Sequence, residues 1–182
     1  MRDSLRGRTF RRKGVRAAIG AVIVLAVVGL WAFEPWRLFT SSTIDEALPI
    51  PAATEPAIPA GGVPIAPPEP VELAVGEFVT QEHDTSGQAR VLRLPDGSRV
   101  LRLTDLSTSD GPDLHVWLAD ATAGGEWGKY DEGRMVRLGE LKATHGNQNY
   151  EIPADATLDG LRSVVVWCDR FDVAFGSAPL DL

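Results

Sequence analysis

The sequence predicts an all-β fold, an antiparallel β-sandwich over residues 71–182, preceded by a single transmembrane helix and a disordered Pro-rich linker. Three observations predict it. Short runs in the C-terminal half alternate apolar and polar residues with the period of a half-buried strand. Clusters of Gly, Pro and Asp separate these runs. Charge is also segregated: within a net −7 over 182 residues, residues 1–16 hold seven Lys/Arg against Asp3, while residues 38–182 hold ten Lys/Arg against twenty-three Asp/Glu. Such a chain reads as a tail, a tether and a globule.

Residues 1–16 form the basic tail, expected to stay cytoplasmic. Residues 17–33, Ala17 to Phe33, hold seventeen residues without a charge. A helix of that length rises about 26 Å, close to the hydrocarbon thickness of a bilayer. The positive excess lies on its N-terminal side, and Trp31 and Trp36 lie at its far end, where aromatic rings favour the interface. The positive-inside rule then places the rest of the chain outside the plasma membrane, on a single-pass signal anchor. A cleaved signal peptide is the competing reading, with Thr40-Ser41-Ser42 as the least poor cleavage segment. No cysteine follows the apolar run to carry a lipid, and Arg11-Arg12 reads as topology-setting charge.

Residues 34–70 are assigned to a Pro/Ala-rich linker, with eight prolines between positions 41 and 70. So few large apolar side chains cannot bury a core, and the segment is expected to act as an extended spacer.

From residue 71 on, Gln88–Leu94 and Ser98–Leu103 flank Pro95-Asp96-Gly97 and read as a hairpin. Leu114–Leu118 puts Leu114, Val116 and Leu118 on one face, and His115 and Trp117 on the other. Met135–Leu141, Asn149–Ile152, Arg162–Cys168 and Phe171–Phe175 supply further strands. No stretch sustains a 3.6-residue apolar period beyond two turns, so helix is expected only as short turns, for instance near Asp155–Gly160.

Composition excludes several classes of function. One cysteine rules out a disulfide framework, a multi-cysteine zinc site and a cluster held by this chain's thiolates alone. The acidic balance argues against nucleic acid as a partner. Phosphate-loop, HExxH, GxSxG and CxxCH motifs are missing. What remains is Cys168, the histidines His83, His115 and His145, and the acidic turns around Asp105, Asp110, Asp113 and Asp131. Cys168 shares a strand face with Val164 and Val166. A lone cysteine there packs as a small hydrophobe, yet an exported unpaired thiol beside Arg170 also suggests thiolate chemistry. No histidine shows the spacing of a paired ligand set, and the acidic turns lack a calcium-loop pattern, so no metal is expected.

Several segments resemble the DM-thirteen domain, described as an electron-transfer domain of bacteria and animals. They are Gly76-x-Phe78, His83-x-x-Ser86-Gly87, Gly111-Pro112-Asp113-Leu114, Leu138-Gly139-x-Leu141-Lys142, Gly146-x-Gln148-Asn149-Tyr150 and Trp167-Cys168-x-x-Phe171-x-Val173-x-Phe175-Gly176. The resemblance covers about residues 76–182. It implies a redox role centred on Cys168, as a naked thiol or as the ligand of a prosthetic group such as haem. The DOMON partner domain sometimes joined to such modules is missing from this chain.

The expectation is therefore a membrane-anchored extracytoplasmic module, more a redox or binding module than a stand-alone enzyme. Cys168 carries the electron-transfer or thiol chemistry, His83 and His145 serve as second ligands or proton partners, and a redox protein is the partner. Trp167 is expected to shield the sulfur. The rival reading is a non-catalytic surface module for a protein or glycan, with Cys168 structural and Trp117, Trp127 and Tyr130 exposed.

Overall fold

A computed structural model describes residues 16, 18–31, 40–50 and 69–182; the basic tail through Val15 and linker residues 51–68 lie outside the described residues. The chain divides into two compact units, Met1–Arg37 and Leu38–Leu182.

In the first unit residues 18–31 are helical. Ile19, Val22, Ile23, Leu25, Val28 and Trp31 are exposed, so the helix is apolar around its circumference and buries none of these faces. Among the described residues no helix is long and apolar enough to cross a membrane. The expected span, 17–33, runs past the described helix at both ends.

The second unit is mostly β, with two sheets in a sandwich-like arrangement. Its strands are β1 (Thr43–Asp45), β2 (Val71–Glu77), β3 (Val79–Thr80), β4 (Ser86–Arg93), β5 (Arg99–Ser107), β6 (Leu114–Ala119), β7 (Met135–Glu140), β8 (His145–Ile152), β9 (Ser163–Cys168) and β10 (Val173–Pro179). One sheet runs β1-β8-β5-β4-β2 and the other β3-β10-β9-β6-β7. Every pairing is antiparallel except β1 with β8. Strand alternation aims Ala89, Val91, Leu101, Leu103 and Tyr150 from the first sheet, and Leu114, Val116, Val164, Val166 and Cys168 from the second, into one shared core.

The β4–β5 hairpin follows from its turn. Asp96 accepts hydrogen bonds from the Ser98 N–H (2.9 Å) and hydroxyl (2.6 Å), and Gly97 takes φ 87°. The Leu94 N–H closes the loop on the Ser98 carbonyl at 2.8 Å.

The second sheet departs from a one-sided sandwich. Its outward residues Trp117, Ala119, Val165, Trp167 and Ala174 pack with Tyr130 in a second buried cluster. Tyr130 comes from a short 3-10 turn, Lys129–Asp131, in the β6–β7 connection. Burial on both faces explains why β9 continues without alternation from Ser163 into the apolar run Val164-Val165-Val166-Trp167-Cys168, with all six residues buried. Trp117 and Tyr130 are thus core residues instead of an exposed aromatic surface; Trp127 alone of that trio is exposed.

Four further expectations change. Residues 43–45, read as linker, form β1: Thr43, Ile44 and Asp45 pair with His145, Gly146 and Asn147. This pairing needs Gly146, whose φ is 98° and where a Cβ would lie 2.2 Å from the Ile44 carbonyl oxygen. β2 and β3 precede the first strand read from the sequence. β10 starts at Val173 instead of Phe171, because Asp169–Asp172 bends with Asp172 at φ 52°. Around Asp155–Gly160 the chain makes hydrogen-bonded turns, Ala156 to Pro153 (3.0 Å) and Leu161 to Leu158 (2.9 Å), while the helical turn sits at Lys129–Asp131.

Candidate functional site

Cys168 ends β9, with Leu114 of β6 and Val173 of β10 as its cross-strand partners. Its side chain faces the shared core and is fully buried. Burial pushes the thiol pKa up. Backbone hydrogen bonding from Phe171, Arg170 and Asp113 opposes that shift, whereas the Asp113 carboxylate adds to it. Arg170 therefore meets the sulfur through its backbone, and the residue itself is exposed. Trp167 lies on the opposite face of β9, in the second cluster, so strand alternation excludes it from shielding the sulfur.

A haem does not fit at this sulfur. The thiol is enclosed in the apolar cluster of Leu114, Val166 and Phe175, and an axial ligand needs an open approach for the porphyrin. The remaining chemistry is that of a buried thiol ahead of a short turn. Cys168 is followed by the turn Asp169–Asp172, held by the Phe171 N–H on the Cys168 carbonyl at 3.3 Å, with Phe171 exposed.

The two other histidines named as ligands lie elsewhere. His83, in the β3–β4 connection, tilts against the Phe175 ring at 4.0 Å between centroids. His145 opens β8 in the other sheet, and its Nδ1 lies 2.8 Å from the Thr144 hydroxyl. Among the described residues no hydrogen bond, ion pair or ring contact joins either one to Cys168.

Sequence reasoning placed His115 on the strand face of Trp117, partly buried on the solvent side, and Asp113 in an acidic turn. The structure brings them together with Asp169 at the end of the β6–β9 pair. His115 Nε2 is 3.0 Å from Asp113 Oδ1 and 3.6 Å from Asp169 Oδ2. The Arg137 guanidinium on β7 is 3.1 Å from Asp169 Oδ2 and lies 4.5 Å over the Trp117 ring. The missed signal was register: Leu114 pairs with Cys168, so the residues flanking that pair meet although they are far apart in sequence.

The Gln148–Tyr150 segment is structural. The Gln148 amide donates to the Ala143 carbonyl at 2.6 Å and its oxygen accepts the Tyr150 hydroxyl at 2.7 Å. The same hydroxyl accepts the Lys142 N–H at 3.1 Å, which ties the β7–β8 connection to the core. A groove of about 770 Å³ lined by Glu46, Leu94, Arg99, Lys142 and Glu151 belongs to the first sheet.

A family model described as Electron transfer DM13 matches residues 77–180. No curated protein and no solved structure matches the chain.

Proposed function

The chain belongs to the DM-thirteen family, a match spanning β3 to β10, and on that premise of a general electron-transfer role we propose a membrane-anchored extracytoplasmic module whose redox group is the Cys168 thiol. One observation carries the reading. Cys168 stands at the end of β9, directly before the four-residue turn Asp169–Asp172, and the Phe171 and Arg170 backbone groups of that turn work to lower its pKa against burial. Those donors stabilise a thiolate once the turn admits solvent, and the core keeps the resting thiol protonated and inert.

The chemistry is thiol–disulfide exchange with a redox protein partner. Opening of Asp169–Asp172 lets Cys168 lose its proton to water. The thiolate attacks a partner disulfide, a Cys168–partner S–S bond forms, the partner's S–S bond breaks, and one partner thiolate leaves. Cys168 is oxidised and the leaving sulfur reduced; the thiolate of a second, dithiol protein then attacks Cys168 Sγ, the first partner leaves fully reduced, and the second protein's other thiol displaces Cys168 as thiolate while closing its own disulfide. The anchor is the apolar segment 17–33, with the basic tail cytoplasmic. Supporting it are the exposed apolar residues of helix 18–31 and the positive excess that precedes them.

A second reading, a surface-binding module with a structural cysteine, draws support from the complete burial of the thiol. Thiol labelling of the folded full chain separates the two. The redox reading expects modification well below the rate of an exposed thiol yet much faster than global unfolding, with no signal from Cys168→Ser. Modification that proceeds only in step with global unfolding discards it in favour of the structural one.

A further inference from the structure

We propose that Asp113, His115 and Asp169 form a binding site for a first-row divalent transition-metal cation on the outer face of the β6–β9 pair. The site is built on the sheet. β6 and β9 are antiparallel neighbours with Leu114 opposite Cys168, so Asp113 and Asp169 flank one register position, and the Asp169 N–H donates to the Asp113 carbonyl at 2.9 Å. His115, opposite Trp167, projects from the outward face between them.

The spacing, which also suits the His115–Asp113 hydrogen bond, is compatible with a coordination shell. Adjacent donors at about 2.0–2.2 Å from one ion, in tetrahedral or octahedral arrangement, lie roughly 2.8–3.6 Å apart. The imidazole nitrogen stands 3.0 Å from one carboxylate oxygen and 3.6 Å from the other, and all three ligand atoms lie within 4.8 Å of one another. Each side chain is partly open to solvent, at 20%, 44% and 24% exposure, so an ion can enter and keep water ligands. One imidazole with two carboxylates selects ions that accept mixed nitrogen and oxygen donors, such as Zn²⁺ and Mn²⁺, over calcium or magnesium. The unit's excess of twenty-three acidic over ten basic residues across 38–182 raises the local concentration of cations.

Arg137 is the built-in competitor. Its guanidinium sits 3.1 Å from Asp169 Oδ2, and its side chain is 58% exposed, so it is free to swing aside as an ion arrives. Glu140 stands opposite His115 on β7 and adds a further negative group nearby.

The test is calorimetric titration of the tag-free full chain in detergent with Zn²⁺, and of Mn²⁺ binding by electron paramagnetic resonance. One ion per chain is expected. His115→Gln and Asp169→Asn each weaken binding at least about tenfold, Arg137→Gln strengthens it several-fold, and Asp155→Asn, on an exposed turn, leaves it unchanged. X-ray absorption of the Zn²⁺ form should show nitrogen and oxygen scatterers and no sulfur. Thermal unfolding of each metal-free variant verifies that it folds. No binding, equal binding by His115→Gln and Asp169→Asn, or a sulfur scatterer would overturn the assignment. Binding alone is measured, so the result stands whether or not Cys168 exchanges with disulfides.

Discussion

Tyr150 illustrates how one buried hydroxyl organises a loop. It is 3% exposed, donates to Gln148 and accepts from the Lys142 backbone, and burial pushes its pKa up to about 12. The fold thus favours the neutral phenol over its value of 10.0 in the unfolded chain. The associated stability is complete below pH 10 and is lost as pH rises toward 12, a change of about 3 kcal/mol at one pKa unit per 1.4 kcal/mol. Tyr150→Phe removes the donor to Gln148 and the acceptor for Lys142, and should cost about 1–3 kcal/mol at neutral pH. Chemical denaturation across pH 7 to 12 checks both points. Wild type should weaken steeply in the alkaline range, and the variant should start weaker but fall less.

At the scale of elements, β1 is held more by its flanks than by its three residues. Glu46 takes both hydrogen bonds from the Lys142 ammonium, at 2.8 and 3.0 Å, and one from the Asn149 N–H at 2.7 Å; Arg102 donates to its carbonyl at 3.0 Å. Partial burial works to raise the Glu46 pKa, but the bonds from Lys142 and Asn149 outweigh it, and the net value lies below 4.5. A lowered carboxylate stabilises above its unfolded value and loses that contribution as pH falls through the folded one. Glu46→Gln should therefore cost at most about 1 kcal/mol globally, because the ion pair is solvent-screened. It should also speed hydrogen exchange at the His145 and Glu46 amides, which bond to Ser42 and Asn147 across the β1–β8 pair. Wild type should show the same acceleration below pH 4.5, and an unchanged exchange rate in both cases would remove Glu46 from that role.

Which elements were readable from sequence follows the same physics. β4 to β6 announced themselves because alternation and an Asp-Gly turn agree with the side of the sheet that is buried. β1 did not, since three residues just ahead of eight prolines vanish in any compositional average. Trp117 and Tyr130 looked exposed because period-two alternation gives a strand two faces without saying whether a later loop covers the second. Cys168 was singled out as a lone thiol and placed on its correct face, but the turn that follows it depends on where β10 begins. The Asp113–His115–Asp169 set was invisible for another reason: only the β6–β9 register joins positions so distant in sequence.

At the scale of the whole molecule, the division at Arg37/Leu38 predicts separable behaviour. The helix over 18–31 exposes Val22, Leu25, Val28 and Trp31, the apolar surface on which the proposed anchor rests. The second unit contains both sheets and their shared core. A fragment of residues 38–182 should therefore fold alone, stay in solution on sedimentation with lipid vesicles, and unfold at the temperature of the detergent-solubilised full chain. The full chain should co-sediment with the vesicles; its recovery in the supernatant would sink the anchor. A shorter fragment, 71–182, keeps the strands read from sequence but loses β1, which leaves β8 as a bare edge of the first sheet. Unpaired N–H and C=O groups along His145–Asn147 then face solvent and offer a template to another chain. That fragment should melt at lower temperature and associate with rising concentration. If 71–182 instead matches 38–182 in melting temperature and stays monomeric, β1 is an ornament on a domain that closes without it.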